Sequence, residues 1–374
     1  MQMKRVNWIL IGASSLALLN GCRSPKKETP QKHQGVQAEK KTAAAPGPAR
    51  VKVKVNKSAL GMFKPALPTQ FISKASPVTE EKIALGRMLY FEKRLSKNHD
   101  VSCNSCHGLN SFGVDNQKTS PGHKGQLGGR NSPTVYNAAG HFVQFWDGRS
   151  PDVEDQATGP IMNPVEMAMP DEKRVVDTLA SMPEYVAAFK KAFPDEKEAI
   201  SLANTGKAIG AFERGLVTPS PWDAFLGGSR KALSDEEKTG FNLFVSTGCS
   251  TCHNGTLLGG GAYQKLGAVS PWPNQKDQGR FEVTKKVTDK MLFKVPSLRN
   301  IEKTSPYFHD GSAATLEEAI ELMGKHQLGR DLSEKHVASI ATWLSSLTGK
   351  VPAEYVKEPP LPPSTPKTPA ADPQ

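Results

Sequence analysis

Cys103-Asn104-Ser105-Cys106-His107 recurs 146 positions later as Cys249-Ser250-Thr251-Cys252-His253. Two thiols two residues apart, followed at once by an imidazole, form the attachment pattern of a c-type haem. The cysteines bond the porphyrin as thioethers, and His107 or His253 then lies under its ring as the proximal iron ligand. A zinc knuckle or a redox CxxC pair is the alternative. Zinc sites usually bring their second pair within about 20 residues, however, and thiolate coordination does not call for a His directly after each pair. Two similar haem-bearing units are therefore expected, and 374 residues are enough to give each its own core.

Outward from these motifs, charge and cysteine usage narrow the reading. The formal net charge is +11, but residues 23–57 alone hold ten Lys or Arg against two Glu, and Lys4 and Arg5 precede them. The rest of the chain is nearly neutral, and four haem propionates make it acidic, so no nucleic-acid partner is expected. Two CxxCH motifs consume four of five cysteines; Cys22 alone is left, which excludes a disulfide framework. Residues 1–21 carry Lys4 and Arg5, then the apolar WILIGASSLALL, as a secretory signal does. Leu19-Asn20-Gly21-Cys22 resembles a bacterial lipobox with Cys22 as the acylated residue, although Asn20 is not the usual small apolar choice. An ordinary signal peptide that happens to contain Cys is the alternative. Residues 22–57 read as a disordered basic tether, and the Pro-rich tail 358–374 as disordered.

Between these ends the pattern is helical. TEEKIALGRMLYFEKR from Thr79 places Ala84, Met88 and Phe91 on one face, whereas residues 108–171 are rich in Gly, Pro and Asn and carry no sustained period. A loop region this long inside a domain is usually functional. Residues 172–193 and 196–216 read as two helices, with Val175, Val176, Leu179, Met182, Val186 and Phe189 inward on the first. Ser234 opens a capping box ahead of Phe241 and Phe244, Thr315 caps a helix carrying Met323, and Ser333 caps one with Val337, Ile340, Trp343, Leu344 and Leu347 inward. No run alternates long enough to build a sheet, so the fold is expected to be mostly α.

Nine motifs in order, SCNSCHG, GHKGQLGGRNSPTVYNA, FWDGR, EDQATGP, NPVEM, GCSTCHNG, VPSLRNI, SPYFHDGSAATLEEAI and MGKHQLGRDLS, make residues 60–350 closely resemble the bacterial di-haem cytochrome c peroxidases. That family is related to the protein-modifying di-haem enzymes of the MauG type. The resemblance implies two class I cytochrome-c-like domains, each with one covalent haem c, joined across a calcium-containing interface. Its expected boundaries are a peroxidatic domain over 58–225 and an electron-transfer domain over 226–357.

The resemblance also implies roles. His123 is the removable sixth ligand of the first haem, and Met323 is the sixth ligand of the second. A thioether favours ferrous iron and raises the potential, which makes the second haem an electron store. Glu166 is the acid/base for bound hydrogen peroxide, Gln156 orients the peroxide, Trp146 assists electron transfer between the haems, and His309 bonds a propionate. One calcium ion is held by the Asn131 side chain and the carbonyls of Thr304 and Pro306. The histidines at 33, 99, 141, 326 and 336 receive no role beyond surface or packing.

The implied reaction reduces hydrogen peroxide to water with electrons from a small periplasmic donor, a cytochrome c or a cupredoxin. The expected location is the periplasm, on a lipid anchor at a bacterial membrane, and a homodimer stays open. A purely electron-transferring di-haem cytochrome needs neither Glu166 nor Gln156. The protein-modifying relatives carry Tyr where this chain has Met323.

Overall fold

A computed structural model describes residues 53–73 and 76–374. The expected signal sequence, Cys22 and most of the expected tether lie outside the described residues. No helix among those described is long and apolar enough to cross a membrane.

Among the described residues the chain is mostly helical, with one two-stranded antiparallel pair in which Tyr263–Lys265 faces Leu292–Lys294. The helix Glu80–Phe91 starts at Thr79, whose hydroxyl accepts from the Lys82 amide. Its inward face is Leu85, Leu89, Tyr90 and Phe91, while Ala84 is exposed and Met88 only half-buried. The expected face is thus rotated. Gly86 explains it: a β-carbon there would stand 1.8 Å from the Ala208 carbonyl oxygen, so the helix crosses Leu202–Glu213 at its smallest residue. An apolar-periodicity argument gives a glycine no weight.

The helix expected over 172–193 is two, Glu172–Ala180 and Pro183–Ala192, since Pro183 cannot donate within a continuous helix but suits a first turn. Val175, Leu179, Met182 and Phe189 are buried as expected, whereas Val186 is 42% exposed. In the second half the capping residues stand where the sequence puts them. Ser234 caps Asp235–Thr247, Thr315 caps Leu316–Leu328 and Ser333 caps Glu334–Ser345, with Phe241, Phe244, Val337, Ile340, Trp343, Leu344 and Leu347 buried.

Two large hydrophobic cores result, and their membership differs from the boundaries expected at 225/226 and 357/358. The first core gathers Leu85, Leu89, Phe189, Phe212 and their neighbours, together with Val356 from far down the chain. The second gathers Trp222, Phe241, Ile340 and Trp343, together with Ala59 and Phe63 from the start of the described chain. Each core thus includes a short segment from the opposite end of the sequence.

The tail is likewise not as composition predicted. Residues 358–374 form no helix or strand but lie against the first core, with Leu361 packed on it and Pro362 buried. Arg94 donates to the Pro362 carbonyl (2.7 Å) and Arg174 to that of Ala370 (2.6 Å); Thr365 donates to the Ser181 carbonyl (2.9 Å). The Asp372 amide donates to Lys97, whose own amide donates to the Met167 carbonyl. Proline lowers the entropy that ordering must overcome, so a Pro-rich segment can dock through such partners without regular structure. Deleting residues 358–374 removes several hydrogen bonds worth roughly 0.5–1.5 kcal/mol each. The calorimetric transition is expected to fall by several degrees; an unchanged transition would show that the tail contributes no stability.

Candidate functional site

The first motif forms a single helical turn, Cys103–Cys106, closed by a reciprocal cap between Ser102 and Ser105. Tyr90 donates to the His107 carbonyl (2.8 Å) and so fixes the motif to the 80–91 helix. Burial pushes the Cys103 and Cys106 thiols up and the His107 imidazole down. The second motif follows the helix that ends on Gly248, whose φ of +106° turns the chain sharply into Cys249. Burial pushes the Cys249 thiol up to about 11 and lowers the His253 imidazole. His253 Nδ1 lies 3.2 Å from the Leu258 carbonyl, so the neutral ring donates there and keeps the Nε2 lone pair for a ligand.

These donor sets suit covalent haem better than zinc. Among the described residues no three His, Cys, Asp or Glu side chains converge as a metal site, so the two CxxC pairs do not meet. Burial raises the Cys103, Cys106 and Cys249 thiols, which disfavours the thiolate that a redox pair needs. Buried imidazole nitrogens at His107, His123 and His309 have no partner in the protein. Cys249, Cys252, His253 and Met323 border one open cavity.

His123 and Glu166, 43 positions apart, are brought together by backbone. The His123 amide donates to both the Val165 carbonyl (3.1 Å) and the Glu166 carbonyl (2.7 Å). Gly122 makes this approach feasible, because a β-carbon on it would lie 2.2 Å from the Val165 oxygen and 2.7 Å from the Glu166 α-carbon. Asn163 donates to Glu166 Oε1 (2.8 Å), and burial raises the Glu166 pKa against the opposing Arg149 charge and the Asn163 hydrogen bond. Gln156 ends the short helix Val153–Gln156 and is half-buried.

Trp146 stands at the junction of several segments. Its indole donates to the Asn131 carbonyl (2.9 Å), its carbonyl accepts from the Lys294 amide (2.8 Å), and its ring meets His309 edge-on at 6.4 Å. His309 is buried against Phe293, ring centroids 4.3 Å apart, and both of its ring nitrogens lack a protein partner. Asn131, Thr304 and Pro306 border the same cavity as Trp146 and His309. The Asn131 amide nitrogen donates to the Gln117 carbonyl (3.0 Å), which leaves its oxygen lone pairs available to a cation.

Known proteins resemble this chain over most of its length. The family model for di-haem cytochrome c peroxidase matches residues 80–231. The chain is 47% identical over 310 residues to cytochrome c551 peroxidase of Nitrosomonas europaea, covering 82% of this chain and 91% of that one. It is 46% identical to cytochrome c551 peroxidase of Pseudomonas aeruginosa, covering 83% and 90%. The chain belongs to the di-haem cytochrome c peroxidase family. A solved MauG-like protein associated with microbial copper homeostasis superposes with a TM-score of 0.70 at 29% identity, covering 78% of this chain and 97% of that one.

Residues without a motif of their own also gather here. Glu213 is fully enclosed, and burial, aided by the nearby Glu154 charge, pushes its carboxyl up to about 8. Glu154 itself is held by a two-pronged pair with Arg214 (2.6 and 2.8 Å). Lys294 and His141 form a buried pair at the cavity wall, Nζ to Nδ1 3.0 Å. A lone Lys or His in sequence gives no sign of such a partner 153 positions away.

Gly122→Ala places a methyl group against the 165–166 backbone and is expected to separate the His123 loop from the Glu166 turn. Losing about 1 kcal/mol of hydrogen bonding should speed exchange of the His123 amide by about fivefold or more. Wild-type protection in this variant would show that the close approach does not hold the loop.

Proposed function

We propose that this chain is a cytochrome c peroxidase that reduces hydrogen peroxide to water, drawing electrons singly from a small periplasmic cytochrome c or cupredoxin. The observation that carries the reading is the junction of the His123 loop with the Glu166 turn, two positions to which the family resemblance gives the roles of removable ligand and acid/base. A purely electron-transferring cytochrome has no use for that pairing.

In this reading Cys103, Cys106 and His107 hold one haem c in a peroxidatic domain, and Cys249, Cys252, His253 and Met323 hold the other in an electron-transfer domain. The first haem supplies the iron centre for oxygen–oxygen cleavage and the second a stored electron, at a potential that its thioether ligand raises. His123 closes the first site in the resting protein and withdraws with its loop when the second site is charged. Gln156 then orients the peroxide, while Glu166 accepts its proton and returns it to the leaving oxygen. Burial raises the Glu166 pKa, which suits a group that takes up a proton and gives it back.

Trp146 lies on the electron route and His309 binds a propionate. Asn131, Thr304 and Pro306 hold calcium through neutral oxygens, which suits a hard cation but holds it weakly. Cys22 carries the lipid that keeps the enzyme at the periplasmic face of a membrane, since two or three acyl chains anchor stably where one does not. Met323 favours this function over protein modification, where relatives carry Tyr.

Glu166→Gln keeps size and hydrogen bonding but removes the proton carrier, so turnover is expected to fall by about 10²- to 10⁴-fold. In the wild type the rate should drop as pH falls through a value above the ordinary carboxylate range, and that limb should vanish in Glu166→Gln. His123→Gly should let the fully oxidised protein react with peroxide. Wild-type turnover in Glu166→Gln would remove the acid/base assignment. Cys22→Ser should move the enzyme from the membrane fraction to the soluble one with turnover unchanged, and a wild type already soluble would end the anchor proposal.

A further inference from the structure

Lys294 is 5% exposed, yet no carboxylate among the described residues lies within ion-pair distance of it. Its Nζ meets His141 Nδ1 at 3.0 Å, and burial pushes its pKa down to about 7 against the opposing charge of Asp147. With Lys294 charged, His141 accepts at Nδ1 and carries its proton on Nε2, a buried nitrogen that has no partner. Gly260 admits the ring, since a β-carbon there would stand 2.3 Å from His141 Cδ2.

The nearest acid does not resolve the charge. Asp147 accepts from Arg130 (2.6 Å) and from Arg149 (3.0 Å), so two guanidinium groups already share it. Arg130 also takes Asp277 (2.6 Å) and reaches Glu282 (3.6 Å), while Arg280 is spent on the Asp147 carbonyl and the Tyr263 hydroxyl. Nor does His309, packed on the adjacent Phe293, supply an anion. A buried ammonium in a neighbourhood already rich in guanidinium is costly unless an anion arrives from outside the chain. Lys294 and His141 border the cavity that Cys249, Cys252, His253 and Met323 also border. The group expected in that cavity carries two carboxylates.

We propose that Lys294, held by His141, anchors a propionate of the second haem and that its positive charge raises that haem's reduction potential. The proposal rests on the reading of Cys249, Cys252 and His253 as a haem site and adds to it a residue pair that sets how readily the haem accepts an electron. Two features suit Lys294 to this role. Its amide bonds the Trp146 carbonyl (2.8 Å), which fixes the strand that carries it, and His141 occupies one of its three donors while two stay free for a carboxylate. A fixed cation beside the porphyrin favours the ferrous state, which carries one positive charge fewer than the ferric.

The test is a spectroelectrochemical titration of both haems in the wild type, Lys294→Met and Lys294→Arg, with the mass of each denatured protein measured in parallel. All three are expected to carry two covalent haems. The potential of the second haem should shift down in Lys294→Met and stay close to wild type in Lys294→Arg, while that of the first haem is unmoved. Two haems with an unshifted second potential in Lys294→Met would overturn the anchor and leave the peroxidase reading intact. A wild-type mass with fewer than two haems would instead overturn the reading beneath it. Should Lys294→Met fail to fold, Lys294→Gln removes the same charge while keeping a polar end and decides the question on the same titration.

Discussion

The His123 amide donates to two carbonyls at once, those of Val165 and Glu166, and much of the first site follows from that contact. It requires a residue without a β-carbon at 122, and it sets the loop bearing a candidate iron ligand against the turn bearing a candidate proton carrier. The turn is braced from its other side. Met167 accepts from the Lys97 amide, and Lys97 is in turn bonded by Asp372 of the tail. Side-chain chemistry at Glu166 is thus held by backbone hydrogen bonds, which do not depend on rotamer choice. A loop fastened mainly through one amide can be released at small energetic cost, whereas the braced turn stays in place.

The junction between the two cores follows a different principle. Arg130 joins Asp147 to Asp277 across 130 positions of sequence, and Trp146 links the Asn131 loop to the strand carrying Lys294. Such charge pairs are stabilising only when geometry and hydrogen bonding offset desolvation, and Arg130 meets Asp277 through two prongs of 2.6 and 2.8 Å. Against this matched set Lys294 stands out as a buried cation without an acid, and a haem propionate is the anion that its place on the cavity wall would meet.

Much of this was legible in the sequence because its signals are local. CxxCH puts two thiols and an imidazole within five residues, and the caps at Ser234, Thr315 and Ser333 need only four residues each. Pro183 is a local signal too: it lacks the amide that one continuous helix over 172–193 needs, although the apolar spacing runs straight across it. The remainder depends on residues distant in sequence. Which face of the 80–91 helix is buried turns on Gly86 meeting Ala208, and core membership turns on Ala59 and Val356 crossing to opposite halves. The tail looked disordered by composition, yet it finds partners in Arg94, Lys97 and Arg174, which no composition reveals. Within the site, motif resemblance picked out His123 and Glu166, and the backbone contact that joins them exists only in three dimensions.

In the proposed cycle, access to the first site depends on the charge state of the second, through release of the His123 loop. The most direct measurement is stopped-flow reaction of hydrogen peroxide with the wild-type holoenzyme, fully oxidised and after addition of one electron per molecule. Slow reaction in the oxidised protein and rapid reaction after one-electron reduction are expected. Equal rates in the two states would contradict the dependence.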